Sequence, residues 1–145
     1  MILPPMIVGS LPKPKWLAKP RELRAPWRLK GKRLFEGQDD ATTAAIHEQE
    51  RAGMMIVTDG EQRRQHYISH FCQGLPAFDY SRLVDKPTRG GKYAAKVPTI
   101  VDKVRWTEPV LLRDVAFVLS QASWPVKFTL PGPMTIADTA YAEAY

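Results

Sequence analysis

"AGMMIVTDGEQRR", residues 52–64, sets a helix-stopping glycine, a short apolar run and an acid–glycine–acid turn end to end. Met54 to Val57, bounded by turn formers, read as a buried strand, and Gly53 just ahead of them reads as the C-cap of a preceding helix. Asp59 and Glu61 then fall where that strand leaves the core. Ligand sites in parallel α/β folds gather at such strand ends.

Working outward, "DDATTAAIHEQERAG" (39–53) has acidic residues suited to a helix N-terminus and apolar Ala45, Ile46 and Ala52 among polar positions. "MIVGS" (6–10) reads as a first strand ending in a tight turn. Four prolines and the glycines at 31 and 37 mark residues 11–37 as irregular. Past the turn, Tyr67, Ile68, Phe71 and Cys72 recur at helical spacing, which predicts a helix over 62–73 closed by Gly74. Residues 75–106 read as a β-hairpin excursion turning at Gly90 and Gly91. "TEPVLLRDVAFVLSQAS" (107–123) is an amphipathic helix, "PVKFTLPGP" (125–133) a strand, and "MTIADTAYAEAY" the start of another helix. This alternation is that of an α/β protein with a parallel sheet.

The 145 residues, 44% hydrophobic and 25% charged, suffice for one soluble domain with a core. No run approaches the roughly 18 apolar residues of a membrane span, and no secretory leader opens the sequence. The expectation is a cytoplasmic protein with no membrane partner. A lone cysteine, Cys72, makes no internal disulfide. The net charge of +6 concentrates toward "KPKWLAKPRELRAPWRLKGKR" (13–33), where Trp16 and Trp27 interleave with Lys and Arg. Two readings stay open there: a nucleic-acid surface, in which cations meet phosphates and aromatics stack on bases, or a solvated connector.

Gly9-Ser10, Asp59-Gly60-Glu61 and Pro131-Gly132-Pro133 with Thr135 each end a strand, so a parallel sheet brings all three to one face. Gly9 lets a ligand approach the backbone, and Ser10 offers a hydroxyl and an amide. Glu61 can accept hydrogen bonds from an ammonium group, and Asp59 can orient a neighbour or a ligand. In the plainer reading the glycines only make turns and Asp59 or Glu61 caps the next helix. Arg63 and Arg64 read as anion binders, as a solvated helix flank, or as partners of the acids beside them. His66, His70 and Cys72 invite a zinc reading, but Cys72 falls on the far side of an ideal helix from at least one histidine. No metal is assigned to them. Walker, dinucleotide and nucleophile-elbow motifs are absent from the sequence.

"IVGSLP", "AGMMIVTDGEQRR" and "LPGPMTI", in that order and spacing, resemble the catalytic-domain family of cobalamin-independent methionine synthases and their short single-barrel relatives. The resemblance spans essentially all 145 residues. It implies a (β/α)8 TIM barrel, of which residues 1–145 are the N-terminal portion, opening at the barrel's first strand. It further implies a reaction in which a zinc-bound homocysteine thiolate attacks a methyl donor, either methyltetrahydrofolate or a methylated corrinoid protein. Gly9 and Ser10 resemble the turn holding the amino-acid portion of homocysteine, Glu61 the carboxylate gripping its ammonium, and Asp59 and Arg64 supporting residues. The family's zinc ligands, a His-x-Cys pair followed by Glu and Cys, come from the later half of the barrel. His70-Phe71-Cys72 copies that spelling in a helix where the family places no metal. The chain is therefore expected to supply amino-acid-binding residues without the metal ligands, with self-association or a second chain completing the barrel. The competing expectation is a non-catalytic module that binds RNA or another acidic partner through 13–33.

Overall fold

The computed structural model describes residues 3–20, 26–88, 91 and 93–145. The elements run α1 (Gly31–Arg51), α2 (Tyr67–Cys72), β1 (Phe78–Thr88), β2 (Tyr93–Ile100), α3 (Leu112–Gln121), α4 (Pro133–Asp138) and β3 (Tyr141–Ala142). The chain divides into two compact units, Met1–His66 with Leu111–Thr129 and Tyr67–Val110 with Leu130–Tyr145.

In the first unit α1 begins at Gly31, eight residues ahead of the acidic pair that marks its expected start. Gly37 lies inside it because a Cβ there would stand 2.7 Å from the Leu29 side chain and 3.1 Å from Trp16. Close packing outweighs the roughly 1 kcal/mol that glycine costs a helix. The helix stops where the sequence says. The Gly53 amide bonds to the Glu50 carbonyl at 3.0 Å and the Met54 amide to that of Gln49 at 3.0 Å, with Gly53 at φ +80°. That is a Schellman ending, and it aims residues 54–57 back along the helix.

Ile46 of α1, Val57 and Val118 of α3 form the fully buried centre, flanked by Met54, Ala122, Val126 and Phe128. Pairing of the runs 54–57 and 125–130 is parallel, as expected, but consists of one bridge, Val57 to Val126. The bonds are Val57 N–H to Pro125 O, 2.9 Å, and Lys127 N–H to Val57 O, 2.8 Å. Residues 6–10 make no ladder. Their approach is held instead by Met55 N–H to Pro5 O, 3.0 Å, and by the Lys127 ammonium on the Ile7 carbonyl, 2.5 Å.

The second unit carries the expected excursion, an antiparallel β1–β2 hairpin with Phe78 opposite Ile100 and Lys86 opposite Ala95. Its turn residue Gly90 lies outside the described residues, while Gly91 has φ +82°. A register shift between Asp79 and Leu83 is bridged by the Thr99 hydroxyl on the Arg82 carbonyl, 2.7 Å. The helix expected over 62–73 is reduced to α2, because 62–66 are used in the turn described below. After α4 the chain does not continue as a helix; β3 joins β2 in parallel, Thr99 beside Tyr141. Ile68, Cys72, Leu75, Ala77, Phe78, Ile100 and Ala140 form the core. Among the described residues, no helix is long and apolar enough to cross a membrane.

Gly74 has no room for a side chain, since a Cβ there would run into Val110 Cγ1. Gly74→Ala is expected to destabilise this unit by about 1–3 kcal/mol, the range for overpacking, measured by chemical denaturation.

Candidate amino-acid site

Thr58 ends the buried run without a neighbouring strand on that side, so its backbone needs partners elsewhere. Gln49 of α1 supplies both: its Oε1 accepts the Thr58 amide at 2.9 Å and its Nε2 donates to the Thr58 carbonyl at 2.9 Å. A glutamine side chain thus replaces a β-ladder partner, and a second bond from Nε2 to the Ala45 carbonyl, 2.8 Å, fixes it. The Thr58 hydroxyl donates to the Gly9 carbonyl at 3.1 Å and accepts the Gly60 amide at 3.1 Å, tying the end of this run to the Gly9 turn.

The acid–glycine–acid turn is built on Asp59. One of its oxygens accepts the Glu61 amide at 3.0 Å, and the other accepts Arg64 Nη2 at 2.8 Å. Neither side chain meets solvent: Asp59 is 0% and Arg64 1% exposed. Arg64 also donates to the Thr129 carbonyl at 2.7 Å and lies 4.6 Å above the Phe128 ring, which closes the turn onto the end of the third apolar run. The helix that Asp59 or Glu61 is expected to cap begins only at Tyr67, and the two Asp59 oxygens hold the Glu61 amide and Arg64 instead. Of the readings open for Arg63 and Arg64, the solvated flank is not found, whereas pairing with an adjacent acid holds for Arg64 with Asp59. Arg63 is as buried as Arg64, paired with Asp39 and, at 3.7 Å, Asp114, and stacked 4.3 Å from Phe117.

Gly60 and Glu61 follow one another at φ +59° and +53°. The left-handed conformation suits the glycine but costs a non-glycine residue about 1 kcal/mol, and such strain is concentrated at functional sites. It delivers the Glu61 carboxylate to Gly9: a Cβ on Gly9 would lie 2.8 Å from Glu61 Oε1 and 2.8 Å from the Thr129 hydroxyl. Gly9 is glycine because a carboxylate occupies that space. Ser10 follows it and is exposed. Among the described residues, no donor is within hydrogen-bond distance of the half-buried Glu61 carboxylate. Burial pushes its pKa above the ordinary 4.5, against the pull of the Arg64 and Lys13 charges.

Lys13 completes the charged surroundings. Leu11, two residues earlier, is fastened to the turn by its amide on the Gly60 carbonyl, 2.9 Å, and by Gln62 Nε2 on its own carbonyl, 3.1 Å. The Lys13 ammonium is half-buried 5.9 Å from the Trp27 ring. Burial lowers its pKa, while Glu61 and Asp59 raise it. Gly9, Ser10, Asp59 and Glu61 are thus brought together in the first unit, with Thr129 in place of the proline–glycine segment beyond it. Pro131, Gly132, Pro133 and Thr135 belong to the second unit, where Gly132 and Pro133 open α4.

The other candidates are absorbed by packing. Cys72 sits in the apolar core of the second unit, and burial pushes its thiol up to about 11. Among the described residues no three His, Cys, Asp or Glu side chains are grouped to hold a metal ion. In the basic segment Leu17 and Ala18 are buried, Ala18 bridges Trp27, and Trp27 faces Lys13. Trp27 is thus engaged with its own chain, Trp16 is half exposed, and 21–25 lie outside the described residues.

Sequence and structure comparisons converge. The chain is 35% identical over 147 residues to a methionine synthase of Sulfurisphaera tokodaii and 34% to one of Pyrococcus abyssi, each alignment covering 99% of this chain and 42% of the relative. A B12-independent methionine synthase structure from Shewanella sp. W3-18-1, in complex with selenomethionine, matches at TM-score 0.92 and 43% identity, again over 99% of this chain and 42% of that one. A Listeria monocytogenes structure, TM-score 0.70 at 19% identity, shares the fold. The chain spans about two-fifths of the length of these relatives, and none of the matches supports an RNA-binding module. Because the family described as "Cobalamin-independent synthase, Catalytic domain" matches residues 3–144, the chain belongs to the cobalamin-independent methionine synthase family.

Proposed function

We propose that residues 1–145 are the N-terminal portion of a methionine-synthase (β/α)8 barrel and hold the amino-acid end of homocysteine. The thiol sulfur, once deprotonated, takes the methyl group from the donor, methyltetrahydrofolate or a methylated corrinoid protein, and methionine leaves. In this reading Glu61 accepts the substrate ammonium, and Gly9 and Ser10 present backbone and hydroxyl to its carboxyl end. Asp59 acts from behind, by fixing Glu61 and Arg64.

One observation carries the reading: a half-buried carboxylate with no donor among the described residues, held in a strained backbone against a glycine. Desolvating an acid without pairing it is unfavourable unless something else supplies the partner. A substrate ammonium does so. The Shewanella relative was solved with selenomethionine, the selenium counterpart of the reaction product, which supports an amino-acid ligand for this family.

The zinc implied by the resemblance does not fit the residues described here. Burial raises the Cys72 thiol pKa to about 11, and among the described residues no three His, Cys, Asp or Glu side chains are grouped to hold a metal ion. We assign the metal and its chemistry to polypeptide outside this chain, whether covalently continuous, a second chain or a second copy. Exposed apolar side chains in each unit, Leu3 and Val8 in the first and Trp106 and Met134 in the second, support further protein covering them.

The pH dependence of methionine binding tests the site. Glu61 must be ionised to hold an ammonium, and its raised pKa places the loss of affinity on acidification above the ordinary carboxylate value of 4.5. A raised pKa also means that the folded, ligand-free protein binds the proton more readily than the unfolded chain. The stabilisation from this group is therefore fully present below 4.5 and lost as pH rises through the folded value. Titration calorimetry across this range should show affinity falling with acidification, with Glu61→Gln removing that step. An unchanged pH profile in Glu61→Gln would contradict the assignment.

A further inference from the structure

The geometry points to Lys13 as a second ligand-binding residue, one that receives the carboxylate of the amino acid whose ammonium Glu61 holds. This inference rests on the amino-acid reading of the site and extends it to a residue that looks, in the sequence, like part of a basic connector.

The placement is specific. Leu11 is bonded to the Glu61 turn through both its amide and its carbonyl, so Lys13 leaves that anchor within a short, proline-stiffened step. Trp27 lies on one side of its ammonium at 5.9 Å and limits where the side chain goes. Lys13 and Glu61 are both half-buried and each feels the other's charge, yet they form no ion pair within 4.0 Å among the described residues.

Two half-buried opposite charges that lie within electrostatic reach without pairing are an unfinished arrangement. A direct salt bridge would satisfy both, but none is formed. A zwitterion between them satisfies each with the opposite end of the ligand: ammonium on Glu61, carboxylate on Lys13 and the Ser10 turn. The pair would then select α-amino acids over amines, amino alcohols and amino-acid amides. It would also fix which way round the ligand lies, sending its sulfur-bearing end away from this charged mouth.

The test uses methionine and methioninol, which carries the same ammonium and thioether but no carboxylate, with the protein purified in its native assembly. Calorimetry on the wild type should give tighter binding of methionine. Lys13→Met should weaken methionine by about 10- to 100-fold, the loss of one charge-assisted contact, and leave methioninol unchanged. Lys13→Arg should preserve the preference, which separates lost charge from a damaged fold. Glu61→Gln should weaken both ligands. If Glu61→Gln weakens both but Lys13→Met keeps the full preference for methionine, the role of Lys13 is overturned and the amino-acid site stands. If the wild type does not bind methionine, or Glu61→Gln leaves it unaffected, the site reading fails and the inference fails with it.

Discussion

Asp59→Ala is expected to destabilise the first unit by about 3–5 kcal/mol, the range for removing one member of a buried ion pair. Arg64 would keep its bond to the Thr129 carbonyl and its place over Phe128, but its charge would remain 1% exposed with no acid bonded to it. The same change strips the Glu61 amide of its acceptor, so the strained turn loosens as well. Denaturant unfolding of Asp59→Ala measures the cost. The double change Asp59→Leu with Arg64→Met should recover much of it, because replacing a buried pair with apolar residues of similar volume is often neutral. It should not recover amino-acid binding, since Glu61 has lost its support. A loss below about 1 kcal/mol in Asp59→Ala, the scale of an exposed pair, would show that Arg64 is not confined as described.

Glu61→Gly is expected to separate stability from binding. Glycine removes the penalty of a non-glycine residue at φ +53° and the desolvation of a carboxylate, so folding should gain about 1 kcal/mol. Methionine affinity should fall by about 2–5 kcal/mol, the usual cost of deleting one partner of a buried, hydrogen-bonded charge pair. A binding residue placed for function rather than for folding gives opposite signs in the two measurements. If Glu61→Gly destabilises the protein, Glu61 is a structural cap and the plainer sequence reading is right. Glu61→Gln, which keeps the strain and removes the charge, should lose affinity without the full gain in stability.

What the sequence discloses follows the range of each interaction. Local signals survive well: Gly53 ends α1 in the expected way, and the β-rich run around Gly91 folds back as a hairpin. The start of α1 does not, because the tolerance of Gly37 inside the helix depends on Trp16 and Leu29 packing against it. The parallel runs were legible as apolar segments, but their hydrogen bonding was not; only Val57 and Val126 pair, and Gln49 takes the place of a strand. β3 gave no signal at all, being two residues whose partner, β2, lies far back in the chain.

The site shows the same division. Gly9, Asp59 and Glu61 were marked by turn chemistry and motif order, and they do meet. For Arg63, Arg64 and Lys13 the sequence leaves a solvated reading open beside the others, because basic residues are usually solvated. Their burial depends on Asp39, Asp114, Phe117, Phe128 and Trp27, brought in from elsewhere in the chain. An arginine that follows a buried strand by a few residues, with an acid at the strand end, is the signal that would have marked Arg64. For Lys13 the useful sign was the short Leu11-Pro12 step from a strand-end turn. Thr129 carried no local mark.

The most direct measurement is a crystal structure of the natively purified protein soaked with selenomethionine, using selenium anomalous scattering to locate the ligand apart from the chain's own methionines. The account predicts a selenium peak whose ligand places its ammonium about 2.7–3.2 Å from the Glu61 carboxylate, beside Gly9 and Ser10. A ligand bound with its ammonium on other residues, or no bound selenomethionine at this site under saturating soak, would contradict it.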